Sequence, residues 1–245
     1  MIGEKSLFRG VKWVFIDLDD TLWDFGANSD VTLQKLYRKF EIFSRYYPEY
    51  NEFDEAYHLK NSELWDLYHH GHIEQEYLKL ERFRWLLVSK GYDCGDVDEL
   101  SAEMNEWYLD ELSRCSALVD GAIDLLELLG KRYLIGVLSN GFADVQYRKL
   151  QTSGLWRYVQ RMVVSDEIGV QKPDKRIFDY ALREVGAEAN EVIMIGDNPD
   201  ADIQGAKSAG WRAIYFNRKS KPSVAVADAE VASLSDVVAY LEDLD

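Results

Sequence analysis

The sequence predicts an α/β protein: a doubly wound, mostly parallel sheet with a block of helices inserted after its first strand. A short apolar run, KWVFID at 12–17, stands near the start and ends in a carboxylate. Helical periodicity then runs from about 29 to 115 with no convincing strand inside it. From about 118 onward, short runs rich in β-branched residues alternate with helical segments, the pattern of parallel βαβ units.

Taken in order, residues 12–17 read as a short buried strand. The helical block follows in four apolar sets at three-four spacing. These are Leu33, Leu36, Tyr37, Phe40 and Tyr47; Phe53, Ala56, Tyr57, Leu64, Leu67 and Tyr68; Ile73, Tyr77, Leu80 and Leu87; and Val97, Leu100, Met104, Trp107 and Tyr108. Pro48, the region of Gly71, and Gly91 to Gly95 punctuate them. Strands are then expected at 134–139, 161–165, 191–196 and 212–216, with helices near 120–131, 142–152, 174–185, 200–209 and 234–244. Gly186 and Gly210 suit helix ends, and Pro173 and Pro199 suit helix starts. The expected domains are a sheet core of residues 1–24 and 117–245 and a helical insertion of residues 25–116.

Composition narrows the classes of function. The chain has 245 residues, 47% of them hydrophobic, enough for an ordinary core. Its net charge of −16 opposes binding to nucleic-acid polymers and to anionic membrane surfaces. No apolar run approaches the ~18–20 residues of a membrane span, and the stretch MIGEKSLFRGVKW has no apolar leader segment. Two cysteines, Cys94 and Cys115, are too few for a disulfide framework and read as reduced thiols. Together these predict a cytoplasmic protein.

The chemistry collects at the carboxyl ends of the expected strands, where open α/β sheets bind ligands. The first ends in Asp17, followed by Asp19 and Thr21; the second in Ser139-Asn140-Gly141. Lys172-Pro173 follows the third, and Gly196-Asp197 closes the fourth, with Asp200 and Asp202 beyond. Clustered carboxylates with oxygen donors suit a hard cation such as Mg²⁺, which often bridges a phosphate. Ser139, with the Asn140 and Gly141 amides opening a helix, can hold phosphate oxygens. Lys172 adds a point charge that can pair with carboxylate or phosphate. One carboxylate can attack phosphorus and a second can protonate the leaving oxygen.

In this order the residues resemble the four motifs of the haloacid dehalogenase-like (HAD) hydrolase superfamily. They are Asp17-Leu18-Asp19-Asp20-Thr21, Ser139, Lys172, and Gly196-Asp197-Asn198-Pro199-Asp200-Ala201-Asp202. The resemblance implies a Rossmann-like core with a helical cap of the C1 type. It implies that Asp17 is the nucleophile and a Mg²⁺ ligand, and that Asp19 is general acid and then base, with its backbone carbonyl on the metal. It implies that Asp197 is a direct metal ligand, that Thr21 orders the turn after the nucleophile, and that Ser139, Lys172 and the Asn140 amide bind the phosphoryl group. Asp202 would act through water or by orienting Lys172. Asp20, Asp24 and Asp200 match no catalytic position and read as solvated turn or cap residues.

The implied activity is Mg²⁺-dependent hydrolysis of a small phosphate monoester through an aspartyl-phosphate. The DDTLWDF and VQKPDKRIFDYAL segments resemble the branch that includes bacterial pyrimidine 5′-nucleotidases, so a nucleoside 5′-monophosphate is the expected substrate. Sugar-phosphate phosphatases and phosphomutases share the same core motifs. Dehalogenases of the superfamily lack the second aspartate of the first motif, present here as Asp19, and a non-catalytic regulatory protein would be expected to have lost Asp17 or Lys172. Trp23 and Phe25 read as hinge packing, with base stacking as the alternative. Other aromatics of the helical block read as core, and His69, His70 and His72 as a solvated helix end rather than a zinc site.

Overall fold

The computed structural model describes residues 7–223 and 226–242. The first six residues lie outside that range, as do residues 243–244 of the expected last helix. The chain divides into two compact units, Met1–Phe25 with Ser116–Asp245, and Gly26–Cys115.

The first unit is built on a six-stranded sheet, every pair parallel. In chain order its strands are β1 (Trp13–Ile16), β2 (Leu134–Ser139), β3 (Arg161–Val164), β4 (Val192–Gly196), β5 (Arg212–Phe216) and β6 (Ala229–Val231). Their spatial order is β3-β2-β1-β4-β5-β6. The central strands are buried on both faces and so read as continuous apolar runs. Val14 pairs Ile135 on one side and Ile193 on the other. The chain steps outward from β1 to β2 and β3, then returns to lay β4 against β1. That return makes β1/β4 the topological switch point, and it opens a crevice at the carboxyl ends of the two strands.

One face of the sheet is sealed by Phe15, Phe178 and Trp211, whose rings meet at 5.3 Å for Phe15–Trp211 and 5.2 Å for Phe178–Trp211. Each is essentially buried, and full burial of such a side chain contributes roughly 1.5–3 kcal/mol. β6 was not expected from the sequence. Its three residues, Ala-Glu-Val, are too few to show an alternating pattern, and it is placed by pairing with β5.

The second unit is helical. It comprises most of α1 (Phe25–Lys39), then α2 (Ile42–Tyr46), α3 (Tyr50–His69), α4 (Gln75–Val88) and α5 (Val97–Ser113). Its interior is aromatic: Tyr57, Phe83 and Tyr108 meet at ring-centroid distances of 5.6–5.7 Å. The expected inward set on α4 needs correction. Tyr77 is exposed, and the buried stripe is Leu78, Arg82, Phe83, Leu86 and Leu87. Arg82 sits on that stripe, so its polarity hid the periodicity. His70 and His72, at the end of α3, are exposed. No described helix is long and apolar enough to cross a membrane.

The remaining helices belong to the sheet unit: α6 (Ala122–Leu129), α7 (Ala143–Thr152), α8 (Ser165–Ile168), α9 (Lys175–Val185), α10 (Gly205–Ser208) and α11 (Leu234–Glu242). Pro199 opens a π-helical turn, Pro199–Gln204, that leads into α10. Gly186 ends α9 in the left-handed conformation.

Candidate active site

β1 delivers Asp17 to the switch point. The Asp17 amide extends the ladder by donating to Ile195 O at 2.9 Å, so the residue stands between the ends of β1 and β4. Lys172 reaches the same place from the loop between α8 and α9. Its Nζ donates to Asp17 Oδ1 at 2.7 Å, to Asp202 Oδ1 at 2.6 Å and to Leu138 O at 2.7 Å. All three ammonium hydrogens are therefore used, as burial requires. Asp202 is fixed in turn, its Oδ2 accepting from the Asn198 amide at 3.0 Å. The turn packs tightly because residue 196 is glycine: a Cβ there would collide with the Asp202 carboxylate.

Asn140, expected to serve through its amide, also has a use for its side chain. Nδ2 donates to Lys172 O and Oδ1 accepts from Lys172 N, both at 2.8 Å. This pair of bonds pins the lysine's backbone to the end of β2.

The electrostatics follow from crowding. Burial pushes the Asp17 carboxyl well above its ordinary value, and the neighbouring charges of Asp202 and Asp197 add to this against the opposing pull of Lys172. Burial alone would lower Lys172, but Asp17 and Asp202 outweigh it and hold the ammonium protonated. Asp197 is raised to about 6, first by burial and then by Asp202, with Lys221 opposing. One oxygen from each of Asp17, Asp197 and Asp202 lies within 4.8 Å of the others. Three carboxylates face one buried ammonium, Lys172, and a half-exposed one, Lys221, 3.6 Å from Asp197, which leaves an excess of negative charge. An all-oxygen set of this kind fits a hard divalent cation, with Asp17 and Asp197 as side-chain donors.

Asp19 turns the other way. Its Oδ1 accepts from Lys149 Nζ at 2.7 Å and its Oδ2 from Gln146 Nε2 at 2.8 Å. The same amide nitrogen of Gln146 donates to Ser139 Oγ at 2.5 Å. Residue 141 must be small for this, since a Cβ on Gly141 would overlap Gln146. Neither Gln146 nor Lys149 was anticipated. A signal existed: both fall on the inward stripe of α7 with Val145 and Leu150, where polar residues need a reason. The first amide of α7, at Ala143, donates to Asp166 Oδ2 at 3.0 Å, so an aspartate already occupies that helix start.

Other expectations need adjustment. Thr21 is fully buried, and its hydroxyl has no hydrogen-bond partner among the described residues. The turn after Asp17 is instead ordered by its backbone: Asp20 N donates to Trp23 O, and Leu22 N and Trp23 N to Leu18 O. Asp20 and Asp24 are not simply solvated. Arg218 donates to Asp20 at 2.6 Å and to both oxygens of Asp24 at 3.1 Å, and Lys219 donates to Asp20 at 2.6 Å. Asp200 is exposed, as expected. Trp23 is fully buried, so no free ring face is offered to a base; it packs against Phe25 and under the Lys149 ammonium.

A carboxylate at a switch point, a buried lysine beside it and an acidic turn on the next strand have counterparts in known proteins. Residues 11–210, most of the chain, match the haloacid dehalogenase-like hydrolase family. The chain belongs to this family. As a HAD hydrolase it resembles the pyrimidine 5′-nucleotidase YjjG of Escherichia coli, at 30% identity over 92% of this chain and 95% of that protein. It is 29% identical to the phosphoserine phosphatase of Thermus thermophilus over 93% and 98% of the two chains. Among solved structures, the HAD-hydrolase YfnB of Bacillus subtilis, bound to magnesium, superposes with a TM-score of 0.84 at 27% identity, covering 95% and 99% of the two chains.

Proposed function

We propose that this HAD hydrolase is a magnesium-dependent phosphatase that cleaves a small phosphate monoester, a nucleoside 5′-monophosphate, through an aspartyl-phosphate at Asp17. The observation that carries this reading is the Lys172 ammonium held between Asp17 and Asp202 beside Asp197. The chain is a phosphoric monoester hydrolase. Its likeness to a pyrimidine nucleotidase supports the nucleotide as substrate. Cys94 and Cys115, neither of them in a disulfide, suit action in a reducing cytoplasm.

Asp17 and Asp197 would hold the cation, with the Asp19 carbonyl as the further ligand the family resemblance implies. Magnesium, when bound, offsets the clustered negative charge and polarises the phosphoryl oxygens. Asp17 forms a bond to phosphorus as the bond to the leaving oxygen breaks, and Asp19 gives that oxygen a proton. A water then attacks the phosphorus, passes its proton to Asp19 and frees both phosphate and Asp17. Ser139 and Lys172 stabilise charge on the transferring group, the largest single contribution in such sites. The helical unit, inserted directly after the Asp17 turn, is read as the cap that supplies specificity.

Two experiments test this. Asp17→Asn abolishes magnesium-dependent turnover while melting cooperatively; near-normal turnover in that variant would overturn the mechanism. A panel of nucleotides, sugar phosphates, bisphosphates and halogenated acids is expected to show preference for a nucleoside monophosphate. A sugar phosphate preferred over every nucleotide would retire the substrate assignment.

A further inference from the structure

Both oxygens of Asp19 are engaged from a single helix. Lys149 and Gln146, the two donors, stand three residues apart on α7 and so share one face. Lys149 is only 3% exposed, whereas the Asp19 side chain is 31% exposed. Among the described residues, Asp19 is the one carboxylate within ion-pairing distance of that ammonium. Two aromatic rings also face it, with the Trp23 ring centre at 4.3 Å and that of Phe25 at 5.6 Å. Desolvating an ammonium is costly, and a methionine would fill the inward stripe of α7 at less cost. What the lysine adds over a methionine is its grip on Asp19. Gln146 extends that grip to Ser139, so the candidate acid/base and the candidate phosphoryl-binding hydroxyl are joined through one amide group.

We propose that Lys149 is a positioning residue for proton transfer: it fixes the Asp19 carboxyl group on the α7 side of the strand ends and sets the line along which the leaving oxygen receives its proton. The inference rests on the phosphatase reading above. In that reaction the Asp19 O–H bond breaks as a new O–H bond forms on the leaving oxygen, while phosphorus passes from that oxygen to Asp17. A good leaving group departs with little help from the proton, whereas a basic alkoxide depends on it. Misaiming Asp19 therefore harms turnover in proportion to the basicity of the leaving group. A lysine needed only for packing would harm all substrates alike.

The test compares wild-type enzyme with Lys149→Met, in magnesium, over aryl phosphates of graded leaving-group acidity, from p-nitrophenyl phosphate to phenyl phosphate, and an alkyl phosphate. kcat/KM reports the steps up to phosphorylation of Asp17. The expected result is a loss in kcat/KM on the alkyl phosphate at least about tenfold larger than on p-nitrophenyl phosphate. Lys149→Arg recovers part of that difference. Lys149→Met is expected to melt lower than wild type, since it leaves the part-buried Asp19 without its charged partner, but still cooperatively. Should it fail to fold, Lys149→Gln, which keeps a polar donor and removes the charge, makes the same comparison. An equal loss across the series overturns the positioning role and leaves the phosphatase reading intact. Failure of the wild-type enzyme to turn over any phosphate overturns both.

Discussion

Lys172 Nζ lies 2.6 Å from Asp202 Oδ1, with side-chain exposures of 2% and 1%. The pair is out of water, and the lysine shares itself with Asp17. The two members are therefore unequal. Lys172→Met leaves two buried carboxylates facing each other, an expected loss on the order of 3–5 kcal/mol. Asp202→Asn also relieves repulsion on Asp17 and Asp197, and so costs less. Urea unfolding of the two variants without divalent cations checks the order; a greater loss for Asp202→Asn would contradict it.

Asp197, raised to about 6, predicts a pH dependence. Its unfolded value is near the ordinary 3.8, so between pH ~4 and ~6 the folded state binds the extra proton. Stability of the cation-free protein falls as pH rises through that window, by on the order of 3 kcal/mol for this group, and levels off above it. Magnesium competes with that proton, so the rise in melting temperature it causes grows between pH 5 and pH 7. Melting curves with and without MgCl₂ measure this, and a shift independent of pH would refute it.

Gly196→Ala places a methyl group where the Asp202 carboxylate now lies. Asp202 must move, and Lys172 loses one of its two acidic partners. Turnover is expected to fall by about tenfold or more, since a displacement near 1 Å can cost on the order of 100-fold. A variant with normal kcat and normal melting would show that the turn adjusts freely.

Arg82 is 2% exposed, and its Nε and Nη2 have no hydrogen-bond partner among the described residues. Its guanidinium carbon lies 5.7 Å from the Tyr108 ring centre, a partial compensation. Arg82→Met keeps most of the volume and removes the charge. The melting temperature is expected to rise, by roughly 2–4 °C per kcal/mol gained. A fall would mean that the guanidinium has a partner in solution.

That acidic residues gather at one edge of the sheet was legible because charge breaks the pattern: a buried strand that ends in Asp17 or Asp197 needs a compensating partner. Parallel βαβ alternation likewise made the main strands readable before any contact was known. Partners recruited across long stretches of chain were not. Arg218 meets Asp20 from 198 residues away, and no local spacing announces such a pair. Lys149 and Gln146 were missed because a polar residue on an amphipathic helix is assumed to face water, and only the register of α7 shows otherwise. Arg82 misled in the opposite way, breaking an apolar stripe that the fold keeps intact.

The Asn140 side chain grips the Lys172 backbone through both its amide nitrogen and its oxygen. The lysine amide, though it lies in a loop, is thereby hydrogen-bonded as one in a strand would be, and slow exchange with solvent is expected of it. β2's end and the Lys172 loop become one mechanical part, 32 residues apart in the chain. A change at residue 140 is thus a change in how the lysine is aimed, and the deuterium uptake of a single loop amide becomes a gauge of that aim.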